Sequence, residues 1–208
     1  MLKYTIVDDR QLDSDLTKVA NAIRAKTGTT EDLDFPSGFI DELDNMQDFL
    51  VQRAMAQLTE YSSDAITGAM GTNAFANLPT LVSISLPNWT SGGAYAFQGC
   101  AALANVNCPG VKAIGEYCFA NCKALSRIEL PSLTYLSSYA FTGCTALATV
   151  IIDKATVPTL QNVNAFNNTP IANGTGRIYV PSNMVDSFKA ASGWSTYANQ
   201  IVAITGNE

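Results

Sequence analysis

The sequence predicts a solenoid of short parallel strands, preceded by a helical N-terminal segment and closed by a short helical cap. Three observations predict it. An apolar pattern recurs every 22 residues through the middle of the chain, and self-similarity at a fixed period of this length is what stacked structural repeats produce. The 47 residues from Ala65 to Val111 contain no Asp, Glu, Lys or Arg, so this region is built differently from the acidic start of the chain. With 47% hydrophobic and 14% charged residues over 208 positions, the chain has enough apolar side chains for a real core and too many for disorder.

The repeat is carried by columns of residues. Phe75, Phe97, Phe119 and Phe141 share one column, and Leu81, Leu103, Leu125 and Leu147 share a second. Ile84, Val106, Ile128 and Val150 form a third, and Leu86, Cys108, Leu130 and Ile152 a fourth. The last three columns fall at relative positions 1, 4 and 6, the spacing of a leucine-rich-repeat core, in which one short strand per coil turns alternate side chains inward. Pro87, Pro109 and Pro131 follow the strands and end them, because proline has no N–H to continue a ladder. Coils stacked by parallel pairing lie about 4.8 Å apart, so four make a slab only about 20 Å long that needs a cap at each end. Phe166 comes 25 residues after Phe141 and reads as a fifth, irregular coil. From about residue 176 a cap begins: Gly176 to Pro181 reads as a closing strand. Ser182 then N-caps a short helix with Val185 and Phe188 on one face. Trp194, Tyr197, Ile201 and Ile204 are expected to cover the open end.

The strand face supplies the candidate binding residues. Ser83, Ser85, Asn105, Asn107, Arg127, Glu129, Thr149 and Ile151 alternate with the core columns and should point outward. All but the last are polar, and in solenoids this face often binds partners. Its hydroxyl and amide groups suit a glycan or another protein better than an ionic ligand, against the alternative of an ordinary solvated sheet face. Tyr95, Tyr117 and Tyr139 recur at the same period and form a vertical aromatic ladder, either a surface for sugar rings or a structural edge. Cys100, Cys122 and Cys144 share a column, while Cys108 and Cys118 replace a strand leucine and an alanine. Five thiols in repeat register read as small buried hydrophobes rather than disulfides or metal ligands.

Several chemistries are absent from the sequence. There is no histidine, so Ser-His-Asp and Cys-His constellations and imidazole metal sites are excluded. No glycine-rich phosphate loop or recognisable catalytic carboxylate pair appears, so neither an enzymatic role nor a cofactor is expected. A net charge of −6 has the wrong sign for nucleic acid or an anionic membrane. Proline, glycine and polar residues interrupt the uncharged stretch before it reaches a bilayer-spanning length.

The whole of that net charge lies in residues 1–60, and the remainder is neutral, which divides the chain into an acidic segment, 1–60, and a solenoid, 61–208. In the first, Ser14 or Asp15 can cap a helix with Leu16, Val19, Ala20 and Ile23 on one face. Phe39, Leu43, Met46, Leu50 and Ala54 mark a second, longer one. Two such helices bury little alone, so they are expected to attach, oligomerise or cap. The first ten residues carry Asp8, Asp9 and Arg10 where an export signal has its apolar run, so no signal of that kind is expected in the sequence as given.

The unit Ala96-Phe97-Gln98-Gly99-Cys100-Ala101-Ala102-Leu103, continued through Val106, Cys108 and Pro109, resembles the BspA-like branch of bacterial leucine-rich repeats over about residues 65 to 205. That resemblance implies the fold and a binding role of unspecified target. The segment Leu16 to Gly28, followed by Phe35-Pro36-Ser37-Gly38-Phe39, resembles the N-terminal part of tail-fibre-like structural proteins from phages and prophages of Gram-positive bacteria. It implies a virion component, or an extracellular one, that presents the solenoid to a host-surface glycan or protein. Residues 1–60 would then join other virion proteins or form a homotrimer. The alternative is a bacterial cell-surface or secreted adhesion module.

Overall fold

A computed structural model describes residues 58–64 and 66–206, all within one compact unit. The two N-terminal helices expected from the sequence lie outside the described residues.

Two rows of parallel strands run up the solenoid. The first contains β1 (Glu60–Ser62), β3 (Ser83–Ser85), β5 (Asn105–Asn107), β7 (Arg127–Glu129), β9 (Thr149–Ile151), β11 (Arg177–Val180) and β12 (Ile201–Ala203). The second contains β2 (Gly68–Ala69), β4 (Trp89–Gly92), β6 (Ala113–Ile114), β8 (Tyr135–Leu136) and β10 (Thr159–Leu160). Pairing keeps the sequence period: Ser83 faces Asn105, Arg127 faces Thr149, and Ala113 faces Tyr135. The expectation of one strand per coil is therefore corrected to two. The second row escapes a sequence reading because its strands are mostly two residues long, too short to show alternation.

A third side, at the phenylalanine column, is bonded without being a sheet. The N–H groups of Phe75, Phe97 and Phe119 donate to the carbonyls of Ala96, Cys118 and Ala140 on the next coil, at 2.7–2.8 Å. This register stacks the phenylalanines: successive ring centroids are 5.3, 5.2, 5.5 and 5.7 Å apart from Phe75 to Phe166, with planes within 10° of parallel. The fifth, irregular coil expected at Phe166 thus continues the column. Tyr61 tilts onto Phe75 at one end, and Trp194 and Tyr197 cover Phe166 at the other. The indole of Trp194 donates to Pro158 C=O at 2.7 Å, and the Tyr197 hydroxyl donates to Val163 C=O. Both groups thereby stay satisfied inside the cap.

The cap departs from expectation in two details. Ser182 does not cap the helix: a 3-10 turn over Ser182–Met184 leads directly into α1 (Val185–Ala190), and no side chain bonds its first turn. Nor does β11 close the sheet, since β12 pairs on its outer side. Ile204 is half-buried rather than sealed in.

Two columns sit in left-handed backbone. Tyr95, Tyr117 and Tyr139 have φ of 54–60°, uncommon for a bulky residue and held here by the coil-to-coil bonds around them. Asn77, Gly99, Asn121, Gly143 and Asn168 share the same hand and alternate for a packing reason. A Cβ on Gly99 would collide with Asn77 Oδ1, and one on Gly143 with Asn121 Oδ1. The side chains of Asn77 and Asn121 occupy the space that the next coil's glycine leaves open.

Two outcomes follow for stability. Gly143→Ala should destabilise by about 1–3 kcal/mol through strain and collision, and Asn121→Gly should recover part of that loss in a denaturant-melt double-mutant cycle. Phe119→Ala, which empties the centre of the fully buried column, should cost about 3–5 kcal/mol in the same assay.

Candidate binding face

Side chains of the first row alternate as the leucine-rich spacing requires. Ile84, Ile128 and Val150 are buried, while Asn105, Asn107, Arg127 and Glu129 are exposed and Ser83, Ser85 and Thr149 are half-buried. Ile151, expected to point outward with them, is instead buried at 8% exposure. Asn107 Nδ2 donates to Ser85 Oγ at 3.0 Å, tying two coils together on the surface. Arg127 forms an ion pair with Glu129 on its own strand, so the only two charges among these face residues neutralise each other.

The first row is interrupted at one level. It consists of two sheets, β1-β3-β5 and β7-β9-β11-β12, and β5 is not paired with β7 although they are neighbours. Above and below, Leu86 N–H donates to Asn107 C=O and Leu130 N–H to Ile151 C=O. The corresponding bond from Cys108 to Glu129 is not formed. The second row shows no such break, since β4, β6 and β8 are paired in sequence. The result is a cleft of about 480 Å³, open on one side and bonded at the back. Its walls run from Ala104 to Pro109 and from Ser126 to Pro131. Four of the residues expected to bind, Asn105, Asn107, Arg127 and Glu129, line it; Ser83, Ser85 and Thr149 do not. Val106, whose column is otherwise buried, is left half-exposed there. In this coil Cys108, buried in the core, stands where Leu86 and Leu130 stand in its neighbours.

The tyrosine ladder is present, with centroids 5.2 and 4.8 Å apart and planes within 5°. Stacking of this kind covers both faces of Tyr117 with Tyr95 and Tyr139, and Asn164 Nδ2 donates to the Tyr139 hydroxyl at 3.1 Å. The ladder offers ring edges and hydroxyls to the outside, whereas a sugar ring stacks on an aromatic face. Partial burial and the neighbouring Tyr139, Glu116 and Tyr95 push the Tyr117 phenol above its ordinary range.

All five cysteines are buried free thiols. Their column has a role beyond filling space. The Cys100, Cys122 and Cys144 thiols donate to the carbonyls of Phe75, Phe97 and Phe119 one coil back, at 3.0, 3.2 and 2.9 Å. The next member of the column is Thr169, fully buried, whose hydroxyl donates to Phe166 C=O at 2.6 Å. A small side chain with a donor is what this position takes. Burial pushes Cys100 and Cys118 up and Cys108 up to about 12, and the Cys144 thiol together with burial pushes Cys122 up. Among the described residues, no group of three or more potential ligands is placed to hold a metal ion, and no helix is long and apolar enough to cross a membrane.

A repeat of 22 residues, a buried Phe column, a thiol column bonded to it and a proline after β3, β5 and β7, replaced by Asp153 after β9, together specify one kind of coil. The pattern described as the BspA type leucine-rich repeat region, in six copies, matches residues 68–188. The chain belongs to the BspA-type leucine-rich repeat family. Among solved structures it is similar to the leucine-rich repeat protein TpLRR of T. pallidum, at 23% identity and a TM-score of 0.51, over 61% of each chain. It is also similar to a leucine-rich repeat protein of Bacteroides ovatus, at 18% identity and a TM-score of 0.49, over 71% of this chain and 40% of the other. The chain thus spans less than two thirds of the length of either solved protein. No curated protein matches. These likenesses are likenesses of fold, and the solenoid is consistent with a binding or adhesion module.

The thiols give a pH dependence. Because Cys108 titrates near 9.0 when unfolded and at about 12 when folded, its contribution to stability is full below pH 9 and is lost as pH rises toward 12. The slope is about 1.4 kcal/mol per pH unit for this one group. Denaturant melts between pH 9 and 11 should show a shallower decline for Cys108→Ala than for the unmodified chain.

Proposed function

We propose that this chain is a non-enzymatic recognition protein that presents its solenoid to a host surface and binds a glycan or protein there through the β5–β7 part of the strand face. The observation that carries the reading is the cleft at this level, lined by four of the polar residues that the repeat turns outward. A cavity of a few hundred Å³ with a small number of convergent polar groups is the usual form of a binding site. The BspA-type repeats support a binding role without naming its target.

The resemblance of residues 16–28 and 35–39 to phage tail-fibre-like proteins supports a place in the virion, with residues 1–60 joining other tail proteins or a trimer and the solenoid facing outward. Neither nucleic acid nor membrane belongs to this reading.

The test has two parts. Purified virions of the encoding phage or prophage should contain the protein, and its absence from them would move the reading to a bacterial surface or secreted adhesion module. Asn107→Ala and Arg127→Ala sit at exposed positions and should change stability by no more than about 0.5 kcal/mol. Each should nonetheless weaken host-cell binding by roughly tenfold, the loss of one good polar contact. Unchanged binding in both variants would remove the strand face from the account.

A further inference from the structure

The cleft at β5 and β7 adjoins a second hollow on the same face, of about 230 Å³. Arg127, Glu129 and Pro131 line both, and Ile151, Asp153 and Ile204 complete the second. Its apolar part is Pro131, the buried Ile151 and the half-buried Ile204. Asp153 is the one member that the repeat does not account for. Pro87, Pro109 and Pro131 hold the same position after β3, β5 and β7, so the coil itself needs no carboxylate there. The Asp153 side chain is exposed, and among the described residues no hydrogen bond or ion pair engages it. The neighbouring cations are directed elsewhere. Lys154 Nζ donates to Ser132 C=O at 3.2 Å, and Arg177 on β11 donates to the carbonyls of Gly174 and Gly176. Arg127 is engaged by Glu129, and these two charges cancel. The lining of the hollow therefore keeps one negative charge, at Asp153. Residue 153 lies beyond the alternating strand positions, so a reading of the strand face by parity passes over it.

We infer that this hollow receives a lysine or arginine side chain of a partner protein, with the aliphatic stem against Pro131, Ile151 and Ile204 and the cationic head at Asp153. The inference rests on the reading of the strand face as the binding face, and narrows its target to a polypeptide with a basic anchor. Lysine and arginine lay their methylenes along apolar surface while the charge stays at a polar rim, and the hollow offers that combination. The head belongs at Asp153 rather than Glu129, because Arg127 already neutralises Glu129. A neutral sugar brings no charge for Asp153 to meet. Nor does it find an aromatic face to stack on, since no aromatic residue lines either hollow. The adjoining cleft serves the residues on either side of the anchor. Asn105 N–H donates to Val82 C=O, and Asn107 C=O accepts from Leu86 N–H, both toward the preceding coil. Alternate residues of a parallel strand bond to opposite sides, so the Val106 N–H and C=O face the opening beside the Asn105 and Asn107 amides. The coils keep their stacking through Phe97 on Phe119 and Tyr95 on Tyr117. The segment lies across the face, and only side chains enter. The net charge of the chain, −6, attracts a basic segment as it approaches.

The experiment uses the full chain. A yeast-displayed library of random nine-residue peptides is selected for binding, and a glycan array is probed in parallel. Each selected peptide is remade with norleucine at its basic position, which keeps the stem and removes the charge. Asp153→Asn removes the charge from the other side, and Asp153→Pro installs the residue that three other coils carry. The expected result is a set of peptides sharing a lysine or arginine, whose binding falls about fivefold or more, the upper range for an exposed ion pair, on norleucine replacement and with either variant. The norleucine peptides should bind Asp153→Asn as well as they bind the unmodified protein, which marks the two charges as partners. Peptides without a shared basic residue, or peptides whose loss on norleucine replacement is the same with Asp153→Asn, would overturn the inference. So would a glycan as the sole ligand. In each of these cases a loss of binding with Asn107→Ala leaves the strand-face reading intact. If no ligand from library or array responds to Asn107→Ala, Arg127→Ala or Asp153→Asn, both fall. The norleucine comparison is made on the unmodified protein, so a failure of Asp153→Pro to fold does not blunt it.

Discussion

Every coil is held to the next by main-chain hydrogen bonds that keep the 22-residue register, and the side-chain columns follow from that constraint. Once Phe97 N–H is bonded to Cys118 C=O, its ring can only lie over Phe119. The thiol of Cys122 can then reach only the carbonyl of Phe97. The same register places Asn121 over Gly143 and holds three tyrosines in left-handed backbone. Such strain persists only where its surroundings over-determine it. Stability in a stack of this kind is a sum of coil and interface terms, so Tyr61 on Phe75 and Trp194 and Tyr197 on Phe166 cover the two ends of the phenylalanine column among the described residues.

What was legible in the sequence was whatever the period repeats. The Phe, Leu and Cys columns, the outward face and the irregular fifth coil at Phe166 all show as residue identities at constant spacing. Features built from main-chain geometry do not. The second strand row has only two residues in most coils and no alternation to read. The Ser182 cap failed because a 3-10 turn feeds straight into α1, leaving the serine one turn too early. Ile151 looks outward by parity yet is buried, where β9 pairs with β11 and Ile151 stands beside Tyr179.

The split between β5 and β7 is the clearest case of information carried by neither composition nor period. Asn105, Val106 and Asn107 differ little in kind from Ser83, Ile84 and Ser85. Yet the position of the split decides which outward residues converge. Of seven polar candidates spread over four coils, it gathers four around one opening. The function assigned here therefore depends on where the regular pattern is broken, while the stability of the molecule depends on where it is kept.

Amide hydrogen exchange on the full chain tests that claim most directly. The Val106 N–H faces the split, whereas those of Ile84 and Ile128 lie in paired ladders on either side. The account predicts that Val106 exchanges by local opening, far faster than both, because a solvent-facing amide has no bond to break first. Protection of Val106 equal to that of Ile84 and Ile128 would mean that β5 and β7 are paired in solution, and the cleft on which the binding reading stands would be absent.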